Sequence, residues 1–148
     1  MKLTEHFSLE ELCHSQTADR LGLNNQPDAI TIQRLRSVAH GLEMIRTLIQ
    51  CPITVSSGYR SLLVNRAVGG SSSSQHMTGH AADITAHNFG SPRDLMDAIV
   101  KAKLPYDQVI LEFASLSDDS KGWVHISFSE RNRRQALIID HHGTQEYA

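Results

Sequence analysis

The spacing of apolar residues predicts one long amphipathic helix in the first third of the chain. Across residues 28–50, apolar side chains recur mostly at steps of three and four, which places them on one face of an α-helix. Asp28 is positioned to cap the first turn of this helix, and Pro52 stops the pattern. A shorter helix is predicted to begin at Ser8, with Glu11 completing a capping box. The start of the chain is therefore predicted to be mainly helical.

Later segments carry the shorter apolar runs that are typical of β-strands. Five strands are predicted, at residues 53–56, 81–85, 108–111, 123–128 and 136–139. Short helices are predicted over residues 61–68 and from Ser91, where serine caps the helix and Pro92 takes its first position. Residues 18–27 and the serine run at 71–74 are predicted loops. This order predicts an α+β fold, with a small, mostly antiparallel sheet and helices packed on one face.

The composition is that of an ordinary globular domain. The chain has 148 residues, of which 40% are hydrophobic and 20% charged, and it shows no internal repeat. We predict a single domain spanning residues 1–148, made of an N-terminal helix and loop (1–27), a core (28–128), and a C-terminal strand with a polar tail (129–148). The formal net charge of -2 argues against nucleic acid as a partner. A monomer is expected.

Cysteine spacing and the length of apolar runs bear on where the chain is made. Cys13 and Cys51 lie far apart and lack the close pairs of a thiolate zinc site, so free, partly buried thiols are expected. No apolar run approaches the about 20 residues of a membrane span, and the polar N-terminus does not resemble a signal peptide. We therefore expect cytoplasmic synthesis without a signal peptide and without membrane insertion.

Histidine is unusually frequent, with nine in the chain, and one segment combines it with an acid and small residues. His76 and Asp83 lie seven positions apart, so they can share one ion only if the chain bends between them. Gly79 permits such a bend, and Ala81 and Ala82 are small enough for the backbone to pass close to an ion. From these residues alone, a surface histidine and a capping aspartate stay an open alternative.

A second histidine lies on the predicted strand at residues 123–128. Alternation along this strand places His125 on the face opposite the core, together with Trp123 and Ser127. Two imidazole nitrogens and one carboxylate oxygen make a suitable ligand set for Zn²⁺, and a fourth position is left for water, as in catalytic sites. A strand histidine that simply packs against Trp123 is the alternative.

These residues occur in an order that resembles a known family. The pattern Ser74-x-His76-x-x-Gly79-x-Ala81-x-Asp83, followed by Trp123-Val124-His125, resembles the M15 zinc peptidases, whose DD-peptidase-like fold is shared with the hedgehog signalling domain. The segment at residues 56–61 resembles the family's upstream Ser-Gly-Tyr-Arg, and residues 7–12 resemble the opening of phage-encoded members. The resemblance spans roughly residues 53–128.

The resemblance implies a Zn²⁺ cofactor and assigns most of the candidate site. It implies His76, Asp83 and His125 as metal ligands and Arg60 as a catalytic contact to substrate or transition state, because a fixed guanidinium stabilises developing oxyanion charge. With Arg60, two further residues are expected to contact the substrate, namely Ser74 and Trp123.

The general base is where this chain departs from the family. Many members carry a glutamate three residues before the last metal ligand, but that position here is Gly122. Two acids lie nearby, Glu112 and Asp119. We favour Glu112, which ends the strand predicted at residues 108–111, because hedgehog-like relatives place an acid at the end of a comparable strand. Asp119 is the second candidate.

The resemblance implies hydrolysis of peptide bonds in peptidoglycan stem peptides, by a carboxypeptidase or an endopeptidase. The absence of a signal peptide would suit a phage or prophage lysis enzyme that reaches the cell wall of the host periplasm after release, or a virion component. Two alternatives stay open. A non-catalytic module of the same fold could bind a cell-wall or protein ligand, and a cytosolic dipeptidase could act on free D-Ala-D-Ala.

Overall fold

The computed structural model describes all residues from Met1 to Ala148. Five helices are present: α1 (Leu9–Cys13), α2 (Gln16–Leu21), α3 (Ala29–Ile49), α4 (Leu62–Ala67) and α5 (Pro92–Lys101). Six strands are present: β1 (Thr54–Ser57), β2 (Ala81–Thr85), β3 (Gln108–Glu112), β4 (Trp123–Ser127), β5 (Gln135–Asp140) and β6 (Gly143–Glu146). No helix combines the length and the apolar character that crossing a membrane requires.

All six strands form one sheet in the order β1-β2-β4-β3-β5-β6. The predicted α+β class is confirmed, but the sheet is mixed, because β3 pairs with β5 in parallel while the other pairings are antiparallel. The parallel pair arises because the chain leaves β4, passes the start of β3, and enters β5 on the far side of β3. The connecting segment at residues 128–134 therefore wraps around the residue that precedes β3, which is Asp107.

The apolar face of α3 and one face of the sheet form the core, as the amphipathic pattern predicts. Along α3, the residues Leu35, Val38, Leu42 and Ile45 are fully buried. Each such aliphatic side chain contributes about 1.5–3 kcal/mol relative to exposure. Alternation along β2 and β4 sends Ala82, Ile84, Val124 and Ile126 into the same core, which turns Asp83 and His125 to the opposite face.

Helix boundaries follow the caps that the sequence contains. The side chains of Ser8, Asp28 and Ser91 each accept a hydrogen bond from the backbone of the first helical turn. In α5, the backbone N–H of Ser91 also donates to the Asp94 carboxylate, which completes a capping box. The predicted starts of α1, α3 and α5 are therefore confirmed.

Two sequence expectations are wrong at the ends of the chain. Residues 18–27 are not wholly loop, because α2 spans Gln16–Leu21 with Ser15 as its N-cap and Gly22 as its left-handed C-cap. The C-terminal segment is not one strand with a tail, because β6 pairs antiparallel with β5. Both cysteines are free and half-buried, as expected, and burial raises the pKa of the Cys13 thiol to about 11.

Candidate metal centre and active-site cleft

Three side chains from different parts of the chain meet on the sheet face opposite the core. The Nε2 atom of His76 and the Nδ1 atom of His125 each lie 3.1 Å from the Oδ1 atom of Asp83. The two imidazole nitrogens lie 3.2 Å from one another. All three residues are buried. Asp83 and His125 are direct partners in the β2–β4 pairing, so the sheet itself fixes two corners of this group.

His76 reaches the group through a tight loop between α4 and β2. The backbone N–H of His80 donates to the carbonyl of Gln75 at 3.0 Å, which folds residues 75–80 back on themselves. Gly79 lies in this loop with φ at 81°, and a Cβ there would lie 2.7 Å from the Thr31 side chain. The bend that was predicted at Gly79 is present, and both its backbone angle and its close neighbour require glycine.

A backbone carbonyl holds the His76 ring in place. The Nδ1 atom of His76 lies 2.7 Å from the carbonyl oxygen of Gly58. In the neutral ring this contact places the proton on Nδ1, so that Nε2 turns a lone pair toward Asp83. The Ser-Gly-Tyr-Arg segment noted in the sequence thus supplies the carbonyl that orients one of the candidate ligands.

The spacing of the three donor atoms fits a tetrahedral metal ion. Bonds of about 2.0–2.1 Å to a shared Zn²⁺ place ligand atoms about 3.3 Å apart, and the observed separations are 3.1–3.2 Å. A neutral His76 would direct a lone pair at a carboxylate oxygen, which is repulsive unless a cation or proton lies between them. Burial raises the pKa of Asp83, but the close contacts of its carboxylate with the His125 and His76 rings outweigh burial and hold that pKa well below its usual range. The three residues form a group that could hold a metal ion.

A cleft of about 600 Å³ opens over this group. It is lined by the three residues predicted to contact the substrate and by the favoured base, which are Arg60, Ser74, Trp123 and Glu112. The Nη2 atom of Arg60 donates to the Ser74 hydroxyl at 3.3 Å, and the Arg60 backbone N–H donates to the carbonyl of His76 at 3.1 Å. Burial lowers the pKa of Arg60, while the charges of Asp83 and Glu112 oppose that shift. The guanidinium therefore lies within electrostatic reach of both acids.

Buried polar atoms without a partner in the protein concentrate around this cleft. Three of the five such side-chain atoms in the chain belong to cleft residues, namely Arg60 Nε, Gln75 Oε1 and Trp123 Nε1. A buried donor without a partner costs free energy, so such atoms are rare unless a ligand or water satisfies them. A polar ligand or water in the cleft would satisfy these atoms.

The structure brings Glu112 to the cleft and leaves Asp119 outside it. The Oε1 atom of Glu112 lies 3.9 Å from His125 Nδ1, whereas Asp119 is exposed on the loop between β3 and β4. Burial and the neighbouring Asp83 charge raise the pKa of Glu112, and His125 and Arg60 counter part of this shift. Glu112 is therefore the acid that can serve as a base in this cleft, although its catalytic role stays a prediction.

Backbone geometry explains why residue 122 is a glycine here and not the glutamate that many family members carry. Gly122 has φ at 85°, and a Cβ there would lie 2.6 Å from backbone atoms of Ala114 and Glu112. A glutamate cannot occupy this position without moving the turn into β4. The fold thus excludes a base at residue 122, while β3 places another carboxylate at the same cleft.

Other histidines lie outside the centre. The Nδ1 atom of His80 is hydrogen-bonded to the Thr78 hydroxyl at 2.7 Å, and the residue lines a neighbouring groove. His80 is not part of the group formed by His76, Asp83 and His125. The His141 ring packs at a tilted angle against Phe113, which in turn packs against Trp123. Phe113 and Trp123 line the cleft at its Glu112 end.

Asp107, which lies directly before β3, is the most heavily bonded carboxylate in the structure. Its fully buried oxygens accept hydrogen bonds from Gln75, Ser129 and Arg133, each at 2.9 Å. Hydrogen bonds from Arg133 lower the pKa of Asp107 well below its usual range. No motif in the sequence marks this residue as part of the site.

Comparisons with known proteins agree with this geometry. The family model described as Peptidase M15 matches residues 5–127. A 61-residue segment is 41% identical to the Zinc D-Ala-D-Ala carboxypeptidase of Streptomyces albus G. That alignment covers 41% of this chain and 22% of the relative, so the chain matches less than a quarter of the relative's length. Because the family model matches residues 5–127, which is well over half of the chain, the chain belongs to the Peptidase M15 family.

Proposed function

We propose that this protein is a zinc peptidase that hydrolyses peptide bonds in peptidoglycan stem peptides. The observation that carries the proposal is the buried group of His76, Asp83 and His125, with donor atoms at tetrahedral spacing on the floor of a cleft. The prediction of zinc as cofactor is confirmed by the family, by the zinc-dependent relative and by this group. The assignment of each residue to a role is part of the proposal.

The proposed chemistry divides among five side chains. His76, Asp83 and His125 would hold one Zn²⁺, which when bound polarises a peptide carbonyl and lowers the pKa of a water molecule. Glu112 accepts a proton from the attacking water and returns it to the leaving amine. Arg60, fixed by the Ser74 hydroxyl, stabilises the negative charge that develops on the carbonyl oxygen.

The surroundings of Glu112 favour its role as a base. A general base is most effective when its pKa lies near the working pH, and burial raises the pKa of Glu112 in that direction. Ile110 pairs with His125 across the sheet, so the two side chains share one face. Glu112 lies two residues further along β3, so its carboxylate is on this face too, opposite Trp123. Glu112 therefore lies beside the proposed metal site, with its Oε1 atom 3.9 Å from His125 Nδ1.

The substrate and the biological setting belong to the proposal. The relative's name supports a stem peptide with D-residues as the substrate. The resemblance of residues 7–12 to phage-encoded members supports a phage or prophage lysis enzyme, or a virion component, that acts as a monomer on the host cell wall. We propose no choice between carboxypeptidase and endopeptidase, because the loops that border the cleft decide it.

Digestion of purified peptidoglycan by the zinc-loaded protein tests the proposal. Mass spectrometry of the released fragments identifies the bond that is cut and so separates the two subclasses. Glu112→Gln should lose hydrolysis, whereas the matched Glu146→Gln on the exposed strand β6 should retain it. If the zinc-loaded wild type cuts no bond but binds peptidoglycan, the binding-module alternative replaces the proposal.

A further inference from the structure

The cleft has a second chemical character at the end away from Glu112. Side chains of Gln108, Ile110 and Glu112 follow one another along the face of β3 that lines the cleft. At the Gln108 end, Arg131 and Arg133 also line it. Aromatic rings thus border one end of the cleft, and two guanidinium groups border the other.

Asp107 fixes one of these arginines in a single orientation. The Nε and Nη2 atoms of Arg133 donate to the two carboxylate oxygens of Asp107, both at 2.9 Å, and the Arg133 backbone N–H donates to the same residue at 2.9 Å. The carboxylate is fully buried, whereas the Arg133 side chain is 30% exposed. No protein group accepts from Nη1 of Arg133, so this nitrogen keeps its donors for a ligand.

The loop backbone holds the same arrangement. The residues on either side of Arg133 both have left-handed backbone angles, with φ at 42° for Asn132 and 51° for Arg134. Such angles are uncommon outside glycine and persist where surrounding contacts fix them. The N–H of Gln135 donates to the carbonyl of Asp107 at 3.0 Å, which anchors the loop where β5 begins.

The strand register gives the distance from this basic end to the metal group. Asp83, His125 and Ile110 lie in one row across the sheet, and Gln108 lies two residues further along β3. At about 3.3 Å per residue the two rows are about 7 Å apart. Arg131 and Arg133 border the cleft beyond Gln108, so they lie about two to three extended residues from a carbonyl at the metal group.

We propose that Arg131 and Arg133 form a carboxylate-binding subsite, which recognises an acidic group of the substrate two to three residues from the scissile bond. The inference rests on the proposed function, since it assigns a specificity element to the same cleft. Arg133 supplies a preoriented donor, and Arg131 adds a second positive charge at its side. The carboxylate could be the chain terminus of the peptide or an internal acidic group, and both sources would make the same contact.

A purely structural explanation accounts for only one of the two arginines. Arg133 could serve solely as the partner that makes burial of Asp107 possible. Arg131 has no such role, because it is exposed, forms no ion pair in the protein, and yet borders the cleft. Substitution of Arg131 therefore separates recognition of substrate from stabilisation of the fold.

The test compares Arg131→Gln with Arg134→Gln, a matched loss of charge on a neighbouring exposed arginine that does not line the cleft. The substrates are a synthetic stem pentapeptide that begins L-Ala-D-Glu and ends D-Ala-D-Ala, its C-terminal amide, and a version with its internal carboxylates amidated. Hydrolysis gives kcat and KM. Titration of each peptide into zinc-loaded Glu112→Gln, with and without Arg131→Gln, gives Kd without turnover. Arg133→Gln is measured on the same peptides, and its melting temperature shows how far the loss of the Asp107 ion pair destabilises the fold.

Arg131→Gln should weaken binding of the unmodified peptide by about tenfold, the loss expected for one charge-assisted hydrogen bond. The loss should appear in KM and Kd rather than in kcat, and it should vanish for the amidated peptide that lacks the recognised carboxylate. The amidated peptide on which Arg131→Gln has no effect shows whether the recognised carboxylate is the chain terminus or an internal group. If Arg131→Gln matches Arg134→Gln on all three peptides in both assays, the subsite is refuted and the peptidase function stands. If no peptide is cut but Kd still depends on Arg131, the subsite stands and the proposed function fails.

Discussion

Gly58 joins the N-terminal helix to the metal centre, and its substitution by alanine tests that connection. An alanine Cβ at this position would lie 2.1 Å from the carbonyl oxygen of Leu12 and 2.8 Å from its carbonyl carbon. The same Leu12 oxygen accepts a hydrogen bond from the Tyr59 N–H at 2.7 Å. The neighbouring atoms are backbone atoms of α1, so they cannot rotate away, and the loop that carries Gly58 must shift.

The magnitude follows from the contacts that this shift would break. Overpacking costs about 1–3 kcal/mol, and loss of the bond between Tyr59 and Leu12 adds about 1 kcal/mol. Together these terms predict a loss of about 2–4 kcal/mol in the free energy of unfolding. Displacement of the Gly58 carbonyl also frees the ring of His76, and removal of such an orienting partner lowers metal affinity by about 10- to 100-fold.

Urea unfolding and competitive zinc titration measure the two effects separately. Gly22→Ala is the matched control, because Gly22 has φ at 66° but nothing within 4 Å of a Cβ. The control should lose about 1 kcal/mol through backbone strain and keep wild-type zinc affinity. If Gly58→Ala also keeps wild-type zinc affinity, the Gly58 carbonyl does not orient the metal ligand, and the reasoning is refuted.

Three further predictions concern the base, the metal and the buried carboxylate. Glu112→Gln should lower kcat by about 10²- to 10⁴-fold while one zinc per chain is retained; undiminished hydrolysis would remove Glu112 as the base. At zinc concentrations about 1,000 times Kd, the bound ion should add about 4 kcal/mol to the free energy of unfolding. Chelation of the zinc should therefore lower the melting temperature by about 8–16 °C. An unchanged melting temperature would argue against the site. The pKa of Asp107 is lower in the folded protein than in the unfolded chain, so its stabilising contribution is complete above about pH 4 and is lost as the pH falls below that value. Unfolding of Asp107→Asn should therefore depend less on pH between about 4 and 2 than unfolding of the wild type, and identical slopes would contradict this assignment.

Local patterns were sufficient to predict the elements that carry the site. The strand β2 spans the predicted residues 81–85, and β4 departs from its predicted span only at Phe128. Period-two alternation identified the face of His125, and a single glycine identified the bend before Asp83. These signals are local, so a single sequence contains them.

Non-local features could not be predicted in the same way. Strand β6 is exposed at every residue and exists because β5 offers it a hydrogen-bonding edge. The parallel pairing of β3 with β5, which encloses Asp107, depends on which side of β3 the chain takes after β4. The basic end of the cleft follows from that path, and no motif in residues 128–134 indicates it.

Anomalous diffraction from crystals of the zinc-loaded protein is the most direct test of the metal centre. We expect one zinc ion per chain at about 2.0–2.2 Å from His76 Nε2, Asp83 Oδ1 and His125 Nδ1, with one further ligand that is not protein. Zinc bound elsewhere, for example at the adjacent pair His141 and His142, with the three buried side chains free of metal, would contradict the proposed function at its foundation.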